Sequence, residues 1–341
     1  IRDSSSKDAG KICASWHQYK AQEEIVRLGK KFDVNVTFFH GRGGSPGRGG
    51  GPIQATLRSQ PPGSVNGKIR ITDQGEVIQQ KYGYEPIAEY NLCSYIGAVT
   101  EATLNPPPTP KQNWRSLIEK MSDISKSSYR KNINQSSEFI KYFKTVTPSA
   151  ALGKLSIGSR PSKRKNVDNI KSLRAIPWVF AWTQIRLMLP AWLGSAEALR
   201  YAYIKKFRRT LIDMEKNWPF FNSMLDILDM VIAKADPDIS KIYEKYLADD
   251  ALKKIGKKLR FQFEVIKKLN KKITTKEIIL TRKQFRTLIT VRAIYSEVLN
   301  IIQPIVIYKL KKNKIMSDKK YLNDALLTSI AGISAAMKNT G

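Results

Sequence analysis

A seven-residue stretch alternating at period two runs directly into a segment that is mostly glycine, and few folds accommodate such a junction. Asp33-Val34-Asn35-Val36-Thr37-Phe38-Phe39 has the alternation expected of a strand. His40 to Pro52 follows, with seven glycines in the eleven residues 41–51. Glycine lets a backbone pass close to a ligand and aim its amide hydrogens at an anion. His40, Arg42 and Arg48 add charge-assisted donors suited to phosphate or carboxylate. The loop lacks the Gly-Lys-Ser/Thr ending of a nucleoside-triphosphate loop. Taken alone, it also fits a surface loop or a single RGG-type RNA-binding segment.

Around this junction the chain alternates. Residues 8–32 predict a helix, with Ile12, Trp16, Tyr19, Ile25 and Leu28 on one face. Lys68 to Thr72 predicts a second strand, and Asn105 to Pro110 a stiff connector. Helices are expected within 111–145 and a strand at Lys154 to Gly158. Ala175 to Trp182 is apolar throughout and suits a strand buried on both faces. From residue 195 onward the pattern is helical, and no internal repeat is seen. His, Arg and Gly recur at the carboxyl ends of the strand-like segments, where a (β/α) barrel builds its active site. The expected fold class is α/β and helix-rich: part of a (β/α) barrel followed by a large all-helical carboxyl-terminal region.

The 341 residues are 42% hydrophobic, enough for a sizeable core, and carry a formal net charge of +30. Residues 251–320 hold 20 basic and 4 acidic side chains, over half of that excess. Lys253-Lys254, Lys257-Lys258, Lys267-Lys268 and Lys271-Lys272 alternate with Leu252, Ile255, Leu259, Ile266 and Leu269. A helix with a solvated lysine face is the ordinary reading. A nucleic-acid or acidic-surface patch is the sharper alternative, making the chain a non-catalytic anion- or nucleic-acid-binding remnant; the scarcity of stacking aromatics and the absence of zinc-finger or RNP motifs disfavour nucleic acid. Two cysteines, Cys13 and Cys93, cannot build a disulfide framework and fit a reducing cytosol. Gln184 and Arg186 interrupt the apolar run Ala175 to Gly194, which makes it a poor membrane span. No signal peptide is visible, and the chain reads as soluble and cytoplasmic.

Arg160 and Arg174 each end a strand-like segment, and with Arg42 and Arg48 they form an intense anion site if they converge. Lys7 precedes a helix, where both the helix end and the ammonium favour anions. His17 lies within that helix and reads as a packing or surface residue. No metal-ligand spacing and no Ser-His-Asp set is evident. These residues point to a small, multiply anionic substrate.

The motifs resemble the phosphoenolpyruvate carboxylase family along the whole chain. They are Ser-Lys-Asp-Ala-Gly at 6–10, Phe-Phe-His-Gly-Arg-Gly-Gly-Ser-Pro-Gly-Arg-Gly-Gly-Gly-Pro at 38–52 and Ser-Gln-Pro-Pro at 59–62. Gln-Gly-Glu at 74–76, Gly-Ser-Arg-Pro-Ser-Lys-Arg at 158–164 and Ser-Leu-Arg-Ala-Ile-Pro-Trp-Val-Phe-Ala-Trp-Thr-Gln at 172–184 continue the series. Trp218-Pro219-Phe220-Phe221, Ala233-Lys234-Ala235-Asp236 and Met337-Lys338-Asn339-Thr340-Gly341 complete it. The resemblance is to the carboxyl-terminal part of a much longer enzyme. It implies residues 1–190 as the carboxyl-terminal half of a TIM-like barrel with active-site loops, and residues 191–341 as a helical effector-binding and assembly region.

The resemblance further implies carboxylation of phosphoenolpyruvate by bicarbonate with Mg²⁺ or Mn²⁺, giving oxaloacetate and phosphate in a homotetramer. Lys7, His40, Arg42, Arg160 and Arg174 are its implied catalytic residues, with Arg42, Gly43, Gly44 and Arg174 binding substrate. Arg48, Lys234, Arg292 and Asn339 are the implied site for a dicarboxylate effector such as aspartate or malate. Two departures stand out. The family's metal-binding aspartate falls at Ser4, with Asp3 one residue out of register, and Gln54 replaces a histidine usual after the glycine loop. The resemblance also places a second metal carboxylate, a catalytic histidine and another phosphate arginine upstream of this stretch, so the chain alone is expected to be inactive.

Overall fold

Gly10, with a φ of 77°, lets the chain turn between α1 (Ser4–Ala9) and α2 (Lys11–Lys31). The computed structural model describes residues 4–40, 53–72, 75–134, 137–154, 175–204, 206–274, 283–312 and 315–337. Ile12, Trp16 and Tyr19 of α2 are buried as their spacing predicts, whereas Ile25 and Leu28 are exposed. The apolar face is thus covered only along the amino-terminal half of the helix.

Of the strand expected at 33–39 only the end is paired. β1 (Phe39–His40) runs parallel to β2 (Arg70–Ile71), with Phe39 opposite Arg70 and His40 opposite Ile71. A parallel pair requires a crossover, and α3 (Ile53–Arg58) lies within it. α4 (Gly75–Tyr82) and α5 (Glu85–Leu104) follow, with Pro86 in the first turn of α5, where the missing amide hydrogen costs nothing. The Asn105–Pro110 connector has no regular structure, as its prolines predict. α6 (Gln112–Asn134) and α7 (Ser137–Val146) occupy the stretch expected to be helical.

One strand expectation fails, and another falls almost wholly outside the described residues. Lys154 closes a 3-10 turn, Ala151–Lys154, and the rest of the expected strand to Gly158 lies outside the described residues. Ala175 to Trp182 belongs to a helix, α8 (Ala175–Gln184). A short run that is apolar on every side has no period to separate strand from helix. Pro177 falls in the first turn, where a helix tolerates it. Pro177, Trp178, Phe180, Ala181 and Trp182 are all buried, so the expected burial holds while the element type does not.

From residue 195 the described chain is helical, as expected. It runs through α9 (Ser195–Ile204), α10 (Arg208–Asn217), α11 (Pro219–Lys234), α12 (Pro237–Leu247), α13 (Asp250–Ile273), α14 (Lys283–Lys312) and α15 (Met316–Met337). Asp236 caps α12 by accepting from the Asp238 and Ile239 amides at 2.9 and 3.1 Å, and Asp249 caps α13 by accepting from Leu252. α13 buries Leu252, Leu259, Phe263 and Ile266 and leaves Lys254, Lys257, Lys258, Lys267, Lys268, Lys271 and Lys272 exposed. That is the solvated lysine face of the ordinary reading.

Tryptophans organise the core. Trp16, Trp114 and Trp218 pack together, Trp114 stacked on Trp218 and Trp16 edge-on to it, joining α2 and α6 to the start of α11. Trp178 and Trp182 of α8 pack against Phe139 and Phe143 of α7. Among this apolar packing sits an ion pair: Glu244 of α12 accepts from Arg260 of α13 and from the Tyr142 hydroxyl at 2.8 Å. Gly256 lets α13 approach it, because a Cβ there would run into the Glu244 carboxylate. Gly256→Ala is therefore expected to lower stability by about 2–4 kcal/mol, through displacement of a buried charge from its partners. Urea unfolding of the longest native form of the polypeptide measures it, and a loss under about 0.5 kcal/mol refutes this account.

Candidate functional site at the two ends of helix α8

Lys7 is 5% exposed on α1, with its Nζ 3.1 Å from Asp8 Oδ1. α1 packs against α2, α6 and α8. Because α8 begins at the residue after Arg174, the helix bearing Lys7 lies against the helix that Arg174 leads into. Tyr129 of α6 holds this corner. A Cβ on Gly10 would stand 3.3 Å from the Tyr129 ring, and one on Gly194 would stand 3.2 Å from Tyr129 Cβ. Gly10 thus lies against the ring and Gly194 against the Cβ and backbone of Tyr129, both glycines at positive φ, 77° and 82°. Burial pushes the Tyr129 phenol well above its ordinary pKa; the adjacent Trp178 indole opposes the shift and the Asp8 charge adds to it.

His40 is buried at the end of β1, where its carbonyl accepts from the Thr72 amide at 2.9 Å. The backbone is therefore fixed where the glycine segment begins. On the far side of that segment, Gln54 and Arg58 of α3 both donate to Glu101 of α5, Arg58 at 2.9 Å. Gln54, at the position of the expected histidine, thus clamps α3 to α5.

Past the carboxyl end of α8 a second group forms. Arg186 is 4% exposed, and its Nε donates to the Lys234 carbonyl at 2.8 Å. One of its terminal nitrogens donates to Ser296 Oγ of α14 at 3.3 Å, and its own carbonyl accepts from the Asp236 amide at 2.8 Å. Arg292 lies one turn before Ser296 on the same helix. Lys234 and the helix carrying Arg292 are thereby brought together. Burial lowers the Arg186 pKa from its ordinary value, and the Asp236 and Glu297 charges oppose the shift.

Of the residues expected at a site, Lys7, His40, Lys234 and Arg292 are described. Asp3, Arg42, Gly43, Gly44, Arg48, Arg160, Arg174 and Asn339 lie outside the described residues, as does the Ser4 side chain. His17 is exposed. Among the described residues no group of three or more His, Cys, Asp or Glu could hold a metal ion, so these residues do not supply the donor set of a divalent-cation site. Among them, too, no helix is long and apolar enough to cross a membrane. Sequence reasoning missed Tyr129, Glu101 and Arg186. Arg186 left a trace, as a charge inside an otherwise apolar run, but that trace served only to exclude a membrane span.

Residues 3–341 match the family model described as phosphoenolpyruvate carboxylase. The chain belongs to the phosphoenolpyruvate carboxylase family. It is 45% identical over 338 residues to the phosphoenolpyruvate carboxylase of Marinomonas sp. (strain MWYL1), covering 99% of this chain and 38% of that protein. The phosphoenolpyruvate carboxylase of Shewanella sediminis is 44% identical over 338 residues, and that of Acinetobacter baumannii 44% over 350, with the same coverage. The chain thus spans 38% of the length of these relatives. Within this family context the Tyr129 corner is directly testable. Gly194→Ala adds a Cβ 2.5 Å from the Ser125 carbonyl at a backbone angle unsuited to alanine. It is expected to destabilise by about 2 kcal/mol or more, read from the guanidinium midpoint; an unchanged midpoint removes the argument.

Proposed function

We propose that this chain is the carboxyl-terminal portion of a cytoplasmic, homotetrameric enzyme that carboxylates phosphoenolpyruvate. The observation that carries this reading is the family match over residues 3–341. Bicarbonate attacks the phosphorus, giving carboxyphosphate and the enolate of pyruvate. Carboxyphosphate breaks down to carbon dioxide and phosphate, and the enolate carbon attacks the carbon dioxide to form oxaloacetate.

Each step moves negative charge between phosphate, carboxylate and enolate oxygens, so fixed cations in a dry pocket lower the barrier. Arg42 and Arg174 grip the substrate phosphate, helped by the amides of Gly43 and Gly44. His40 holds carboxyphosphate or its carbon dioxide product, and Lys7 and Arg160 complete the basic pocket. The burial of Lys7 and the packing of its helix on α8 support this assignment, since a desolvated ammonium acts more strongly on a nearby anion. The family's divalent cation, Mg²⁺ or Mn²⁺, needs carboxylates that the described residues do not supply, and no step is assigned to it.

Residues 1–190 are read as the carboxyl-terminal half of a TIM-like barrel, supported by the parallel pairing of β1 and β2 across α3. Residues 191–341 are read as the effector-binding and assembly region, with Arg48, Lys234, Arg292 and Asn339 receiving a dicarboxylate such as aspartate or malate. The lysine face of α13 is left as solvated surface.

The test is bicarbonate- and Mg²⁺-dependent oxaloacetate formation by the longest native form of the polypeptide. Arg174→Ala is expected to lower kcat by roughly 10²–10³, the typical loss of one charge-stabilising donor. Activity undiminished by that change refutes the assignment. The isolated 341-residue chain is expected to show no turnover, and measurable turnover by it overturns the view that essential groups lie elsewhere.

A further inference from the structure

Arg186 is an expensive residue to keep where it is. Its φ of 57° is left-handed, a conformation that costs a non-glycine residue free energy unless its surroundings hold it there. The residue is 4% exposed, yet its guanidinium hydrogen bonds go to a neutral carbonyl and a neutral hydroxyl. The Asp236 and Glu297 charges act on it from a distance, but no described carboxylate forms an ion pair with it. Burying a cation in this way stabilises a fold poorly, so the arrangement calls for another explanation.

The partners supply one. The Lys234 carbonyl belongs to the last residue of α11, and Ser296 lies one helical turn beyond Arg292 on α14. One rigid planar group therefore spans the backbone of Lys234 and the helix face carrying Arg292. The Arg186 carbonyl takes the Asp236 amide, so the turn after Lys234 is held from both sides. Lys234 and Arg292 are themselves only half-buried.

Two residues before Arg186, Gln184 is gripped by the same helix. The Gln184 carbonyl accepts from Asn300 at 2.6 Å and from Tyr243 at 3.2 Å, and its side-chain oxygen accepts from Gln303 at 3.1 Å. Ser296, Asn300 and Gln303 lie at successive turns of α14 and are 0% exposed. The seam between α8 and α14 is thus polar and fully buried, so a displacement of α14 is transmitted to α8 through directional bonds.

We infer that Arg186 is a positioning residue that joins the Lys234 backbone to the helix face carrying Arg292, so that the two cations can serve one small dicarboxylate, and ties that pair to α8. The inference rests on the effector-site reading above and adds to it the element that holds the site and connects it to the helix following Arg174. A flexible ammonium cannot serve both acceptors in one plane, so the geometry demands arginine rather than positive charge alone.

The test is L-malate binding to the longest native form of the polypeptide, by calorimetry and by the malate-induced rise in Tm. Lys234→Ala establishes whether the anion site exists. Arg186→Gln and Arg186→Lys are both expected to weaken binding at least tenfold and to shrink the Tm rise. A purely structural role would lower the Tm without ligand and leave both the affinity and the increment intact. Loss of binding in Lys234→Ala beside affinity within twofold of wild type in Arg186→Gln overturns the inference while sparing the site. Normal binding by Lys234→Ala overturns both. If the Arg186 variants do not fold, Ser296→Ala removes only the hydroxyl partner. It is expected to weaken binding three- to tenfold, and unchanged affinity there also overturns the inference.

Discussion

An amide buried in an apolar core must find a partner for every donor and acceptor, and Gln184 finds them only where α8, α12, α14 and α15 meet. Its side chain donates to the Ile330 carbonyl and to Ser334 of α15, and accepts from Gln303 of α14. Its carbonyl takes Tyr243 of α12 and Asn300 of α14. Each unmade bond at such depth costs about 1–3 kcal/mol, so the four helices cannot drift apart independently. Apolar packing brings α8 into the interior, and this polar hub fixes its register and direction. The helix bearing Lys7 packs on α8, Arg186 follows two residues past its end, and α8 itself spans about 15 Å for ten residues.

Much of the helical architecture was legible because its faces are two-sided. α2 and α13 each set apolar residues at helical spacing against charged ones, and the structure covers those faces in large part as the spacing predicts. α8 was misread because it has no polar face before Gln184. A helix buried all round and a central strand present the same string of apolar residues, and only their neighbours decide between them. The period-two stretch at 33–39 misled in a different way. Alternation makes a strand feasible, but pairing requires a partner edge, and among the described residues a partner is present only for Phe39 and His40.

At the site, the legible residues were those whose type alone suggests chemistry: Lys7, His40, Lys234 and Arg292. The illegible ones act through shape or reach. Tyr129 looks like any core aromatic until Gly10 is found against its ring and Gly194 against its backbone. Glu101 looks like an ordinary helix-surface carboxylate until Gln54 and Arg58 converge on it. Neither relation has a sequence spacing, since the partners lie 43 or more residues apart. Charge shows the same division. The abundant lysines of α13 face solvent and cost the fold little, while the few cations withdrawn from water, Lys7, Arg186 and Arg260, are the ones that organise their surroundings.

The close approach of Gly10 and Gly194 to Tyr129 also limits how this corner can change over evolutionary time. At Gly10 the obstacle includes the Tyr129 ring, so a larger residue there needs a smaller one at 129. At Gly194 the obstacle is backbone, with the Ser125 carbonyl 2.5 Å away and the Tyr129 amide nitrogen at 3.2 Å, and no substitution at 129 removes it. Positions 10 and 129 are therefore coupled through inherited change, whereas 194 is bound to glycine whatever residue stands at 129.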